Sequence, residues 1–199
     1  MYLRFLIVLF SCFFNLEAAD ISNGKQKSST CIACHGEDGN SQVGLWPSLA
    51  GQNQKYLTKQ LKLMKSGERV VLEMTGMLDG LSDTDIEDIS AFYASSKIKM
   101  GQASIDLVDL GSKLYYSGNF EKGIPACTAC HSPRGLGNAQ AAYPLLSGQQ
   151  PEYIAKTLKD YRLATRMDTE ASKIMVSISY KLDDKELSLI HISEPTRPY

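Results

Sequence analysis

Apolar side chains recur at helical spacing in two well-separated stretches of the chain. In each stretch the stripe occupies positions i, i+1, i+4, i+5 and i+8, its i+4 position is polar, and lysines occupy other faces. A stripe of this kind predicts an amphipathic helix that packs on a hydrophobic core. The stripes are Tyr56, Leu57, Gln60, Leu61 and Met64 in the first stretch, and Tyr153, Ile154, Thr157, Leu158 and Tyr161 in the second.

A further helix is predicted downstream of each stripe. Ser82 and Asp85 have nearly the spacing and chemistry of a capping box, which marks a helix N-terminus. Asp183 and Glu186 mark the corresponding start in the second half of the chain. No stretch has the sustained apolar–polar alternation of a strand, so we expect an all-α fold. The apolar face of the first closing helix consists of Ile86, Ile89, Phe92 and Tyr93.

These similarities belong to an internal duplication. Six residues recur in the second half at identical mutual spacings, and Met74 precedes Leu81 by the same step by which Met175 precedes Leu182. One unit of roughly 80–90 residues, an ordinary size for a small domain, has therefore been used twice. Each unit is predicted to run as helix, tight turn, loop, helix, methionine loop and helix. The recurring residues are Pro47, Leu49, Gly51, Tyr56, Lys59 and Leu61, matched by Pro144, Leu146, Gly148, Tyr153, Lys156 and Leu158.

Composition shifts divide the 199-residue chain into five segments. The first begins with Arg4, continues with an apolar run and ends in two alanines, which is typical of a cleaved export signal. Cys12 within it offers the alternative of a lipoprotein anchor, which the bulky neighbouring residues disfavour. The segments are a signal peptide at 1–19, an N-terminal domain at 20–96, a linker at 97–110, a C-terminal domain at 111–186 and a tail at 187–199.

The tail breaks the repeat. After Glu186 the second unit requires an amphipathic closing helix, but the chain instead contains Pro195 and Pro198, which are incompatible with a helix interior. The string resembles the translation of a transposon-type sequencing adaptor, so we interpret 187–199 as a non-native segment and the second domain as truncated. The alternative is an authentic divergent tail.

The strongest chemical signal is a five-residue motif that occurs once in each unit, Cys31-Ile32-Ala33-Cys34-His35 and Cys127-Thr128-Ala129-Cys130-His131. Two thiols at C-x-x-C spacing followed at once by histidine indicate covalent attachment of haem c. One helical turn presents both thiols to the porphyrin vinyl groups and the imidazole to the iron. A zinc site needs four converging ligands, and a dithiol or disulfide has no use for the histidine. We therefore predict two covalently bound haem c groups, with His35 and His131 as axial iron ligands.

The second axial ligand is approached by elimination. The chain contains three histidines, and the third, His191, lies in the tail, so both haems cannot be bis-histidine. Methionine, lysine, tyrosine or a vacant position remain. Met74 and Met175 alone among the methionines occupy matching positions in the two units, whereas the rival Met77 is matched by Ile178. We expect Met74 and Met175 to bind the irons. A thioether favours ferrous iron, and a six-coordinate iron leaves no site for substrates, so the pattern favours electron transfer over catalysis.

Charge and cysteine usage agree with this interpretation. A formal net charge of -1 gives no indication of nucleic-acid binding. Of five cysteines, four lie in the two motifs and the fifth is Cys12, so no pair is left for a structural disulfide. Exported proteins commonly use cysteines as disulfides, and here attachment to haem outside the cytoplasm accounts for them instead. We expect a periplasmic protein.

At these motifs, and along nearly the whole chain up to Glu186, the sequence resembles the bacterial dihaem cytochromes c of the cytochrome c4 family. The stretches that carry the resemblance are 31–40, 47–61, 71–86, 125–131 and 173–187. The resemblance implies two tandem class I cytochrome c folds related by a pseudo-twofold axis, with haem propionates facing across the interface. It also implies delivery of electrons to a terminal oxidase from a quinol-oxidising complex or a similar donor.

Two other functions stay open from the sequence. One is a haem enzyme, such as a dihaem peroxidase or a sulfur-compound oxidoreductase, which would require a labile sixth position at one iron. The other is a cytochrome subunit held in a larger dehydrogenase complex. The sequence also leaves open whether the protein rests on the membrane surface.

Overall fold

The computed structural model describes residues 18–101 and 105–189. Within these residues all regular secondary structure is helical. The only extended pairings there are two isolated bridges, Asn119 with Ile124 and Asn138 with Tyr143. In those residues no helix has the length and apolar character to cross a bilayer. The helices are α1 Ile21–Lys27, α2 Ile32–His35, α3 Gln54–Lys65, α4 Asp83–Ser95, α5 Ile105–Ser117, α6 Thr128–His131, α7 Pro151–Arg162, α8 Glu170–Ser179 and α9 Asp184–Leu189, with 3-10 turns at Ser28–Thr30 and Leu72–Met74.

The duplicated order predicted from the sequence is present, with two local differences. Helix α5 begins at Ile105, inside the range 97–110 that the sequence predicts as a linker. Met175 lies within α8 rather than in a loop, because Thr169 and Ser172 cap a helix at that point. The signal peptide up to residue 17, Cys12, His191 and residues 190–199 lie outside the described residues.

In the first unit, α1 crosses directly over α4. Gly24 makes this approach possible, since a Cβ at that position would stand 2.0 Å from the carbonyl oxygen of Asp88. The Asp88 carboxylate accepts hydrogen bonds from the Asp20 amide at 2.7 Å and from the Asn23 side chain at 2.6 Å. Lys27 adds an ion pair with Asp85 at 2.8 Å. The crossing is therefore held by polar contacts on both sides of a backbone-to-backbone approach.

The core of the first unit forms where α3 packs against α4. Its buried members are Leu57, Ile89, Phe92 and Tyr93, all from the two predicted apolar stripes. Ser82 caps α4 as predicted: its hydroxyl accepts from the Asp85 amide, and the Asp85 carboxylate accepts from the Ser82 amide. Helix α4 thus begins where the sequence pattern indicates, and both helices pack through their predicted apolar faces.

The second unit has a shorter closing helix than the first. Helix α9 has 6 residues where α4 has 13. Asp183 and Glu186 cap its start by accepting from each other's amides at 2.8 and 3.0 Å. Leu187, the first residue of the segment interpreted from the sequence as a tail, is 1% exposed and belongs to the core. That core consists of Leu114, Ile124, Leu158, Leu182 and Leu187.

The two units meet in a symmetric arrangement. The Gln52 side chain accepts from the Leu145 amide at 2.7 Å and donates to the Leu145 carbonyl at 3.0 Å. Gln149, the counterpart of Gln52, accepts from the Ser48 amide at 2.8 Å and donates to the Ser48 carbonyl at 2.9 Å. Ser48 is in turn the counterpart of Leu145. Such reciprocal contacts are the property of an isologous interface, so the units are related by a pseudo-twofold axis.

Candidate haem sites and the interface between them

Each C-x-x-C-H motif forms a single helical turn. Cys31 precedes α2, and the His35 amide donates back to the Cys31 carbonyl at 2.9 Å. The His131 amide makes the same bond to Cys127 at 2.9 Å. One turn therefore places both thiols and the imidazole of a motif close together, as the sequence predicts. None of these four thiols is joined in a disulfide.

The turn ends differently in the two units. Gly36 follows the first histidine with φ +82, where a Cβ would stand 2.4 Å from the Asn40 carbonyl oxygen. The corresponding residue of the second unit is Ser132, with φ 68. A left-handed conformation costs a residue with a Cβ more than it costs glycine, so the second turn carries strain that the first avoids.

A backbone carbonyl fixes the orientation of each histidine. His35 Nδ1 donates to the Pro47 carbonyl at 2.8 Å, and His131 Nδ1 donates to the Pro144 carbonyl at 3.0 Å. A carbonyl oxygen can only accept, so Nδ1 carries the proton and Nε2 keeps the lone pair that a metal requires. Burial lowers the pKa of both rings, which favours the neutral form.

Burial also keeps the first thiol of each motif protonated. It raises the pKa of Cys31 above its ordinary value and raises that of Cys127 to about 11. Free buried thiols of this kind behave as small apolar groups, and Cys31 packs against the core of the first unit. The thiols are therefore held in place by the fold.

The structure separates the candidate methionines by environment. Met74 ends the 3-10 turn and is half-buried, whereas Met77 is 43% exposed. Met175 packs against the core of the second unit together with Ile178. Ligation by Met74 and Met175 stays a prediction.

Sequence reasoning missed a polar cluster between the units. We call it the interface cluster; its members are Tyr56, Gln60, Arg69, Tyr153 and Arg166. Each arginine donates to the tyrosine of the other unit, Arg166 to Tyr56 at 3.0 Å and Arg69 to Tyr153 at 3.4 Å. Both arginines also donate to the same oxygen, Oε1 of Gln60, at 2.9 and 2.6 Å.

A signal for this cluster was present in the repeat. Arg69 follows Leu61 by the same step by which Arg166 follows Leu158, so the two arginines are counterparts. Their importance emerges only when the units meet, because each arginine finds its tyrosine across the interface. Read along one unit alone, either arginine resembles an ordinary surface charge.

The interface cluster has a strongly positive character. Burial alone would raise the pKa of Tyr153, but the guanidinium groups of Arg69 and Arg166 outweigh it and lower that pKa to about 8. Arg166 also lies over the Tyr161 ring, 4.9 Å from its centroid, a cation–π arrangement. The electrostatic potential at this half-buried position therefore favours a negatively charged group.

Comparison with known proteins agrees with the duplicated fold. Residues 21–97 match the family model described as cytochrome c. The chain is 48% identical to cytochrome c4 of Pseudomonas aeruginosa over 87% of its length and 86% of that protein. The chain belongs to the cytochrome c4 family. It superimposes on the crystal structure of reduced recombinant cytochrome c4 from Pseudomonas stutzeri with a TM-score of 0.86 and 43% identity, covering 89% of this chain and 98% of the other.

A more distant relative is named as the electron acceptor of an enzyme. The chain is 30% identical to a protein called thiosulfate dehydrogenase electron acceptor from Thiomonas intermedia, over 82% of its own length and 76% of that protein. Members of the cytochrome c4 family are dihaem electron-transfer cytochromes that work with redox partners, and this chain contains both attachment motifs that the family requires.

The residues present fit two covalently bound haem c groups. In each unit the paired thiols stand one turn apart, and the imidazole Nε2 is left free by the carbonyl bond on the opposite nitrogen. In addition, Nε of Arg166 is buried without a hydrogen-bond partner among the described residues. A haem carries both the iron that the imidazoles need and carboxylates that an orphaned guanidinium N–H can bind. Cys31, Cys34, Cys127 and Cys130 would hold the two groups covalently.

Proposed function

We propose that this protein is a periplasmic single-electron carrier whose two haems are each bound by one histidine and one methionine. The observation that carries the proposal is the pair of His–carbonyl hydrogen bonds, His35 to Pro47 and His131 to Pro144. They orient one neutral imidazole in each unit for permanent ligation rather than for proton transfer, because the nitrogen that could exchange a proton is held by a carbonyl.

The chain's residues have separate roles in this account. The cysteines would hold the haems covalently, and each iron would be bound by one histidine nitrogen and by the thioether sulfur of Met74 or Met175. When bound, each haem supplies an iron that takes up and releases one electron. The thioether ligands stabilise the reduced state and close the sixth position, so the protein performs no bond chemistry and is not an enzyme.

The compartment and partners follow from the same account. The export signal at residues 1–19 directs the chain to the periplasm, where haem c is attached in bacteria. The N-terminal domain, 20–96, and the C-terminal domain, 111–186, each hold one haem. We place a quinol-oxidising complex or a similar donor before this protein and a terminal oxidase after it.

Methionine ligation is tested by replacing one sulfur at a time in the haem-loaded protein. The weak long-wavelength sulfur-to-iron absorption of the oxidised state should fall by half in Met74→Leu and by half in Met175→Leu, and each variant should acquire one cyanide-binding iron. Met77→Leu is the matched control for the first unit and Met167→Leu for the second. A full sulfur-to-iron band in both ligand variants, or its loss in the Met77 control, would contradict the assignment.

A second candidate donor is favoured by one relative. The likeness to a thiosulfate dehydrogenase electron acceptor suggests that electrons arrive from a sulfur-oxidising dehydrogenase. The test supplies oxidised protein to such a dehydrogenase with its substrate and follows haem reduction by absorbance. Rapid reduction that requires the dehydrogenase supports this donor, whereas reduction only by a quinol-oxidising complex supports the first.

A further inference from the structure

The interface cluster contains two cations and no anion. Arg166 is 8% exposed, and Arg69 is half-buried. Among the described residues neither arginine makes an ion pair, and their hydrogen-bond partners are two tyrosines and one glutamine. A buried charge is costly unless an opposite charge or several hydrogen bonds compensate it. Neutral oxygens compensate these arginines only in part.

The arrangement of the two guanidinium groups increases this cost. Both donate to a single oxygen of Gln60, at 2.6 and 2.9 Å, so two like charges lie side by side. The counterpart of Gln60 in the other unit is Thr157, so the shared acceptor comes from one unit alone. Two adjacent cations in a partly desolvated interface repel each other. An anion placed between them would turn that repulsion into attraction.

Two observations indicate that the missing partner is a carboxylate. Nε of Arg166 is buried and has no hydrogen-bond partner among residues 18–101 and 105–189, so the guanidinium retains an N–H donor on one edge. Guanidinium groups bind carboxylates through paired N–H donors. The lowered pKa of Tyr153 shows that this field stabilises a negative oxygen. Each haem bound by this chain carries two propionate carboxylates.

We propose that Arg69 and Arg166 form a shared carboxylate site that binds haem propionates at the interface and raises the reduction potentials of the haems. This inference deepens the proposed function and rests on haem being bound in both units. Reduction adds one electron to a ferric haem and removes its positive charge. Fixed cations beside the haem favour the reduced state, and removal of one cation favours the oxidised state.

The test measures both potentials by spectroelectrochemical titration of the haem-loaded protein. Arg166→Gln and Arg69→Gln are each expected to lower the reduction potential of at least one haem. The expected shift corresponds to a tenfold or larger fall in the ferrous-to-ferric ratio, which is about 59 mV for a one-electron couple. Arg166→Lys keeps the charge and loses the planar donor fork, so it should recover most of the shift. Arg134→Gln, which removes the same charge from an exposed residue, should shift the potentials much less.

Resonance Raman spectra provide a second measurement, because the haem propionate bands would not change if the arginines only stabilised the fold. The haem propionate vibrations should shift in both glutamine variants and stay in place in the Arg134 control. Shifts no larger than that control, or unchanged propionate bands, would overturn the proposal. Potentials of the unaltered protein that depend on added phosphate at constant ionic strength would also overturn it, because they would show a free anion in the site.

Failure of this inference differs from failure of the proposed function. If only the inference fails, the unaltered protein keeps the sulfur-to-iron band of two methionine-ligated haems while the arginine variants behave like the control. If one glutamine variant does not assemble, the other carries the test, because each removes one guanidinium group from the same site.

Discussion

The two units share one plan and close it in different ways. In the first, α1 crosses a 13-residue α4 at a backbone contact made possible by Gly24. In the second, a 6-residue α9 packs beside α5 and is held by Lys122 from the loop that follows α5, which pairs with Asp183 at 2.6 Å and with Glu186 at 2.8 Å. Because both units have the same histidine–carbonyl bond, the haem motif and its histidine geometry do not require a closing helix of 13 residues. We therefore expect the first unit to be stabilised mainly by its own helices and the second to depend more on haem and on the interface.

The largest expected effect comes from breaking the first unit's helix crossing. In Gly24→Val the new Cβ would stand 2.0 Å from the Asp88 carbonyl oxygen, so α1 must leave α4. Overpacking against side chains costs about 1–3 kcal/mol, and rigid backbone gives way less, so we expect at least about 3 kcal/mol and loss of the first unit's cooperative unfolding. Circular dichroism and haem absorbance during thermal unfolding measure it.

The control for that experiment is Gly80→Ala, since no heavy atom lies within 4 Å of the Cβ it would add. It should unfold like the unaltered protein. If Gly24→Val unfolds like this control, the crossing does not stabilise the first unit.

A smaller but still large effect is expected at the end of α9. Leu187→Ala removes a side chain that is 1% exposed in the second core, and such truncations cost about 2–5 kcal/mol. Ile174→Ala on α8, where the side chain is 49% exposed, is the matched control. Denaturant titration should show the second unit alone destabilised. Equal stability of the two variants would mean that the fold ends before residue 187.

The symmetry of the interface gives a third prediction. Gln52→Ala and Gln149→Ala each remove the two hydrogen bonds that the side chain makes to the other unit. The amide and the carbonyl of Leu145, or of Ser48, then lose their partners. An unsatisfied buried group costs about 1–3 kcal/mol, and the two variants should lose similar amounts and separate the unfolding of the units. Gln54→Ala, on an exposed position, should change little. Markedly unequal losses would contradict a pseudo-twofold interface.

The smallest effect concerns acid stability of the second unit. Burial raises the pKa of Glu186, but hydrogen bonds from Lys122, Asp183 and Asn119 outweigh it and bring that pKa below the ordinary 4.5. A carboxyl group with a lowered folded pKa stabilises the protein above its unfolded pKa, and this contribution disappears as pH falls through the folded value. Glu186→Gln should therefore destabilise by about 1 kcal/mol or less at neutral pH.

The same variant should unfold like the unaltered protein at the acid end, where both side chains are neutral. Unfolding temperatures measured from neutral pH down to the acid limit give the comparison. A deficit that stays constant over this range would show that the charge of Glu186 is not what stabilises α9.

Much of the fold was accessible from sequence because local chemistry determines it. The C-x-x-C-H turns, the Ser82 capping box and the apolar stripes depend on neighbours a few residues away, and all are present. The histidine acceptors are also local, because the Pro47 carbonyl lies 12 residues beyond His35 and the Pro144 carbonyl lies 13 residues beyond His131.

The remainder depends on contacts distant in sequence. The interface cluster exists only once the units dock, so no local pattern marks Arg69 or Arg166 as special. Helix α8 formed around Met175 because Thr169 and Ser172 offer a cap, in an insertion with no counterpart in the first unit. Leu187 was assigned to the tail because two prolines follow. It is buried because it packs against α5 and α7, and a local stretch of sequence does not show these contacts.

The central claim is that each chain binds two irons, both closed by a histidine and a methionine. A redox titration of the haem-loaded protein, followed by absorbance and checked by cyanide addition, tests it most directly. The account predicts two haems per chain, two one-electron transitions, a sulfur-to-iron band at full strength for both and slow, incomplete cyanide binding. A single haem, or rapid and complete binding of cyanide at either iron, would contradict it.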